Sequence, residues 1–140
     1  MTTDPRYLYP LSENAPEHAV SASGMPLERL TLEEVLSGRV AAADIRISAE
    51  TLKVQANIAR SAGRDRLAAN FERGAELVAV PQDVILETYE MLRPGRVTDP
   101  AVLSARAEML RRDYGANAIA ALIDEAVAVY TRRGLFRRRY

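Results

Sequence analysis

From Thr31 to Gly134, apolar residues recur three and four positions apart, which places them on one side of an α-helix. The spacing predicts five or six helices and almost no sheet, because no run alternates with period two. The first is short. Thr31-Leu-Glu-Glu34 reads as a capping box, with Glu34 reaching back to the Thr31 amide, and Gly38 ends it. Ala41–Ile47 is a connector with room for one more turn. Ser48 caps a helix over 49–62 that stops at Gly63 and carries two stripes, Leu52/Ala56/Ala59 and Val54/Ile58. The next, over 64–79, has Leu67, Ala68, Phe71, Ala75 and Val78 on its apolar face. Gly74 lies inside it, at a cost of up to ~1 kcal/mol against Ala, and reads as close approach of another backbone.

Pro81 precedes a helix over 82–92 with Val84, Ile85, Tyr89 and Leu92 on its apolar side. Arg93-Pro94-Gly95-Arg96 is a turn. Asp99 caps a helix that opens on Pro100, where a missing amide proton costs nothing, and its stripe is Leu103, Ala107, Leu110, Tyr114. After Gly115, a helix over 116–133 carries Ile119, Leu122, Ile123, Ala126, Val127 and Tyr130 and ends at Gly134. The fold class is all-α, a single domain overall: an arm over 1–30 and a helical domain over 31–140.

The arm follows a different pattern. Pro5, Pro10, Pro16 and Pro26 fall within its 30 residues, a density that predicts no helix there. Yet Tyr7, Leu8, Tyr9, Leu11, Val20, Met25, Leu27 and Leu30 make it more apolar than a solvated tail. It packs on its own helices, wraps over a partner chain, or stays flexible.

Composition narrows the picture. A chain of 140 residues and 15.5 kDa buries about two-thirds of its unfolded surface, enough for one core. It is too short for a (β/α)₈ barrel or a two-half dinucleotide fold. Many of its apolar residues are Ala, and aromatics are 6%, so the core is thin and the chain looks dependent on another. Basic and acidic residues balance at 19 each, which argues against nucleic acid as the main partner. There is no Cys and a single His, His18, so zinc–thiolate sites, thiol nucleophiles and multi-histidine metal sites are excluded. The start, Met-Thr-Thr-Asp-Pro-Arg6, does not read as an export signal, and no apolar stretch reaches the ~18 residues of a membrane span. The expected location is the cytoplasm.

No catalytic, cofactor or metal set emerges. The glycines stand singly and build no phosphate loop. Glu33/Glu34 and Asp124/Glu125 are adjacent on helices and point about 100° apart. Glu87 and Glu90 share a face but have no third ligand nearby in sequence. His18 has Glu17 beside it and no identifiable orienting partner. The Asp-x-His-x-x-Gly pattern, expected where a histidine replaces the lower cobalt ligand of a corrinoid, is absent. Lys53 is the only lysine. The other basic residues are arginines, with Arg132, Arg133, Arg137, Arg138 and Arg139 crowding the C-terminal end. These read as solvated helix ends, as an interface, or as a nucleic-acid patch.

Several blocks together carry a resemblance. They are Tyr9-Pro-Leu11, Pro16-Glu-His18, Gly24-Met-Pro-Leu27, Leu32-Glu-Glu-Val-Leu-Ser-Gly38, Asp44-Ile-Arg-Ile-Ser48, Thr51-Leu52 and Gln55-Ala-Asn-Ile-Ala59. The most distinctive are Ala69-Asn-Phe-Glu-Arg-Gly-Ala-Glu-Leu-Val78 and, after Pro81, Ile85-Leu-Glu-Thr-Tyr-Glu-Met-Leu-Arg-Pro94. Over residues 9–133 the chain resembles the small (gamma) subunit of adenosylcobalamin-dependent diol and glycerol dehydratases. It departs from that pattern at Arg73-Gly-Ala-Glu-Leu77, where the family has Arg-Ala-Ala-Glu-Leu.

The resemblance implies a partly open helical bundle with an irregular Pro-rich arm. It implies a non-catalytic chain that packs on and stabilises a large (alpha) subunit, in a pair of alpha-beta-gamma units, in the cytoplasm or inside a bacterial microcompartment. Adenosylcobalamin would sit between the alpha and medium (beta) subunits, and the radical reaction turns propanediol or glycerol into aldehyde and water. The expected interface residues of this chain are Tyr7, Tyr9, Leu11, Met25, Tyr89 and Arg93. The competing reading is a free-standing adaptor that binds protein or nucleic acid through its Arg-rich C-terminus.

Overall fold

The computed structural model describes residues 4–138. The chain divides into two compact units, one ending at Ala75 and one beginning at Glu76. All regular structure among the described residues is helical, apart from an isolated antiparallel bridge between Val20 and Pro26.

The first unit begins with 3-10 turns at Pro5–Leu8, Pro16–His18 and Leu27–Arg29, and a one-turn helix, α1 (Leu11–Asn14). The arm is irregular, as its prolines suggest, with the single turn of α1 as the exception. Pro5 and Pro16 each open a turn, the position where proline's fixed φ suits a helical start. Helix α2 (Leu32–Leu36) starts at Thr31, whose Oγ1 accepts from the Glu34 amide at 3.3 Å. Only half of the capping box forms, because the Glu34 carboxylate turns to Arg39 and Arg29. A 3-10 turn at Ala42–Ile45 fills the connector.

Two longer helices follow, α3 (Ala49–Ser61), capped by Ser48 Oγ, and α4 (Asp65–Leu77). Leu11 and Ala15 pack on Ile58, and Ala56, Ala59 and Ala68 pack with Phe71. This core of mostly small side chains is as thin as the composition suggests. Leu67 and Val78, placed on the apolar face by periodicity, are instead exposed. Gly74 faces no backbone. A Cβ there would meet Leu52 Cδ1 at 3.6 Å, an ordinary contact.

The second unit holds α5 (Gln82–Leu92), α6 (Pro100–Tyr114) and α7 (Asn117–Arg133). Helices α6 and α7 form a hairpin through Gly115 (φ 63°), a left-handed residue that suits glycine. Leu103, Ala107 and Leu110 of α6 meet Ala116, Ile119, Ala120 and Ile123, with Val80 joining them. Two helices differ from the periodic reading. On α5 the inward stripe is Val84, Ile85, Thr88, Met91 and Leu92, while Tyr89 is exposed. Thr88 is tolerated inside because its hydroxyl donates to the Val84 carbonyl at 2.7 Å. On α7 Ala120 takes the inward position and Leu122 faces out. Beyond Gly134, Phe136 meets Tyr130 edge-on at 5.9 Å, and the Tyr130 hydroxyl donates to the Leu92 carbonyl at 2.6 Å.

Candidate subunit interface

The titratable candidates do not converge. His18 stands on an exposed turn, where its carbonyl accepts from Thr51 Oγ1 at 3.0 Å. Glu87 pairs with Arg106 at 2.9 Å, and Glu90 with Arg93 at 3.0 Å and Arg96 at 3.7 Å. Asp124 pairs with Arg111, which also holds Glu108. Each of these acids therefore has an arginine as its partner. Among the described residues no three of His, Cys, Asp and Glu come close enough to hold a metal ion. No helix among them is long and apolar enough to cross a membrane.

Two carboxylates do structural work that the sequence reading passed over. Glu76, in the last turn of α4, accepts from the Ala118 amide on Oε1 and the Ile119 amide on Oε2, both at 2.9 Å. The N-cap of α7, Ala116, offers no side-chain acceptor, so Glu76 caps that helix from 42 residues upstream. Its negative charge also meets the positive end of the helix dipole. Ala116 itself is the available signal, since a helix start without a side-chain cap needs a hydrogen-bond acceptor from elsewhere.

The second carboxylate is Asp44, which is 6% exposed. It accepts from Ser21 Oγ at 2.9 Å, the Ser23 amide at 3.1 Å and the Ala41 amide at 2.9 Å. Hydrogen bonds from Ser23, the Ala41 amide and the Ser21 hydroxyl hold its carboxyl far below the usual carboxylate range. Asp44 thus ties the loop at 21–23 to the turn at 41–45. Its link to Ala41, three residues back, was legible as a local cap. Its links across 21 and 23 residues were not.

The expected contact residues fall into three groups. Tyr7 (73%), Tyr9 (70%) and Tyr89 (64%) are exposed, large and aromatic. Met25 is half-buried and Arg93 is exposed and paired with Glu90. Leu11 is buried among Ala15, Ile58, Leu8 and Val54, so it serves the chain's own core. Tyr9 borders a groove of about 530 Å³ in the first unit, lined also by Arg6, Ile58, Arg64, Leu67 and Phe71. A shallower groove of about 560 Å³ in the second unit has Leu86 and Met91 between Asp83, Glu87, Glu90 and Arg106. At the C-terminal end Arg132, Arg133, Arg137 and Arg138 are exposed, and Arg139 lies outside the described residues.

The periodic reading also missed a run of outward apolar residues. Leu32 (72%), Leu36 (78%), Ile45 (69%) and Ile47 (64%) are more exposed than such side chains are in a finished core. Val35 is exposed beside them.

Comparison with known proteins gives a consistent result. The profile of the family described as dehydratase small subunit matches residues 6–137. The propanediol dehydratase small subunit of Citrobacter freundii is 51% identical over 125 residues, which is 89% of this chain and 72% of that protein. The protein of the same name from Salmonella typhimurium strain LT2 is 51% identical over 125 residues, with the same coverage.

Proposed function

Because the chain belongs to the dehydratase small-subunit family, we propose that it is the small subunit of a dehydratase acting on propanediol or glycerol. In this role it packs on the large subunit and stabilises it. The two relatives, each a propanediol dehydratase small subunit, support propanediol as the first substrate to test. The observation that carries the packing role is the poverty of core in residues 4–47. Only Leu11, Ala15 and Val40 are buried apolar residues there, while Tyr7, Tyr9, Leu32, Leu36, Ile45 and Ile47 stand exposed. An unpartnered chain gains nothing by exposing them, and exposed apolar surface of this kind marks interaction sites. Tyr7, Tyr9, Met25, Tyr89 and Arg93 are the contact residues we assign to the large and medium subunits, in a pair of alpha-beta-gamma units.

His18 stands on an exposed turn, and no group of three His, Cys, Asp or Glu among the described residues comes close enough to hold a metal ion. The reading assigns adenosylcobalamin, and the radical conversion of diol to aldehyde and water, to the other subunits. It places the assembly in the cytoplasm or within a bacterial microcompartment.

The test is co-expression of this chain with the large and medium subunits. The expected result is co-elution as one species and a large subunit that melts higher with the small chain than without it. A chain that melts cooperatively as a monomer and leaves the large subunit unaffected refutes the reading. It would favour a free-standing adaptor acting through the exposed arginines at the C-terminal end.

A further inference from the structure

The cations of this chain are nearly all of one kind. Of its 19 basic residues only Lys53 is a lysine, and there is no cysteine. Lysine is ordinarily among the commonest residues. In each ion pair among the described residues the cation is a guanidinium. Some of these pairs join neighbouring helices. Arg60 of α3 meets Glu72 of α4 at 2.7 Å, and Arg106 of α6 meets Glu87 of α5 at 2.9 Å. Lys53 is exposed on α3, outside these pairs.

Fork geometry accounts for only part of this preference. Arg39 and Arg112 each grip a carboxylate through Nε and Nη2, which a lysine cannot do. Arg60 and Arg106 instead present one nitrogen to one oxygen, a contact that an ammonium makes as well. At those two positions the cations differ in covalent chemistry. A lysine amine adds to a carbonyl carbon and forms an imine. A guanidinium, with a pKa above about 12, keeps its proton and offers no free lone pair for this. Loss of water from a vicinal diol leaves an enol, which settles as a carbonyl compound. A chain bound to a dehydratase acting on propanediol therefore stands beside the source of a lysine-directed electrophile.

We propose that this chain is hardened against the carbonyl product: arginine holds its helices together where that product would modify lysine, and Lys53 is the one side chain open to imine formation. This goes beyond the functional reading above and rests on its diol substrate. In the step at Lys53, Nζ bonds to the carbonyl carbon. The carbonyl oxygen then leaves as water with two hydrogens from the nitrogen, a carbon–nitrogen double bond remains, and nothing is oxidised. An imine needs a primary amine, so the ring of His18 does not compete. Because Lys53 is exposed and holds no helix pair together, its modification costs the fold little. The same event at position 60 or 106 would wedge a three-carbon group into a contact between helices.

The test treats the full chain, alone and in the co-expressed complex, with propanal, using cyanoborohydride to reduce each imine to a stable amine. Peptide mapping of the parent is expected to find adducts at Lys53 and the α-amino group and none at arginine. Treatment should move the melting temperature of the parent by less than about 1 °C, and that of Arg60→Lys/Arg106→Lys by about 2 °C or more, with adducts at both new lysines. If the double variant does not fold, Arg60→Lys alone, at a side chain 46% exposed, should gain its adduct and shift in the same direction. Adducts on the parent's arginines overturn the proposal. So do new lysines that stay unmodified, or that are modified with no more loss of stability than the parent shows. A complex that releases no carbonyl compound from propane-1,2-diol overturns the functional reading, and the proposal with it, whatever the adduct map shows.

Discussion

Replacing Glu76 by alanine should loosen the start of α7. The substitution removes two hydrogen bonds of 2.9 Å to the Ala118 and Ile119 amides, both partly buried. Loss of a capping acceptor costs about 0.5–2 kcal/mol. Loss of a negative charge from a helix N-terminus adds about 0.3–1 kcal/mol. The expected destabilisation is therefore about 1–3 kcal/mol. With an unfolding entropy near 2.1 cal/mol/K per residue, this lowers the melting temperature by about 3–10 °C. Glu76→Gln keeps an acceptor without the charge, so its loss should be smaller. Glu125→Ala, at an exposed acid within α7, should stay within about 0.5 kcal/mol of the parent. Thermal unfolding followed by circular dichroism measures the shift, and amide exchange at Ala118 and Ile119 locates it. A melting temperature within 1 °C of the parent, with unchanged exchange at both amides, would refute the capping argument.

Other expectations follow from particular residues. Gly74→Ala should stabilise α4 by about 0.5–1 kcal/mol in denaturant unfolding, since the new Cβ meets only Leu52 Cδ1 at 3.6 Å; a destabilised variant would mean a closer approach than the structure has. Asp44 has a folded-state pKa below its ordinary 3.8, so its stabilising effect is complete above that value and is lost as pH falls towards the folded pKa. Its carboxyl resonance should stay in the ionised position through the pH range where ordinary carboxyls titrate, and a midpoint near 4 would contradict the network. In the assembled enzyme, His18→Ala, Glu87→Ala and Glu90→Ala should each leave turnover within a few-fold of the parent, whereas a general acid or base typically contributes about 10²–10⁴-fold.

What the sequence disclosed was local chemistry. Thr31, Ser48 and Asp99 start helices as their side chains suggest, and Gly115 and Gly134 end them at φ 63°. The boundaries of α3 to α7 fall within two residues of the periodic reading because caps and stripes are short-range signals. The errors share one cause. Period counting ranks residues by apolarity, so it chose Tyr89 over Thr88, although the Val84 carbonyl makes Thr88 acceptable inside. It likewise could not see that Glu34 and Asp44 would find partners and turn inward, leaving Leu32, Leu36, Ile45 and Ile47 outside. In the arm, the prolines keep the chain irregular as expected, and Pro5 and Pro16 do so by opening short 3-10 turns.

The arrangement around α7 also sets an order for folding during synthesis. The start of α7 is closed by Glu76, and its far end is latched through Tyr130 to the Leu92 carbonyl. Both tethers join the last helix to segments made much earlier. While the ribosome is still adding residues beyond Tyr114, Leu103, Ala107 and Leu110 have no Ile119 or Ile123 to cover them. The first unit has no such wait, since Ile58 and Phe71 reach their neighbours within the first 75 residues. A nascent chain halted before Asn117 therefore has the contacts within its first unit in place and the apolar stripe of α6 still uncovered. That interval is when the growing polypeptide most needs a chaperone.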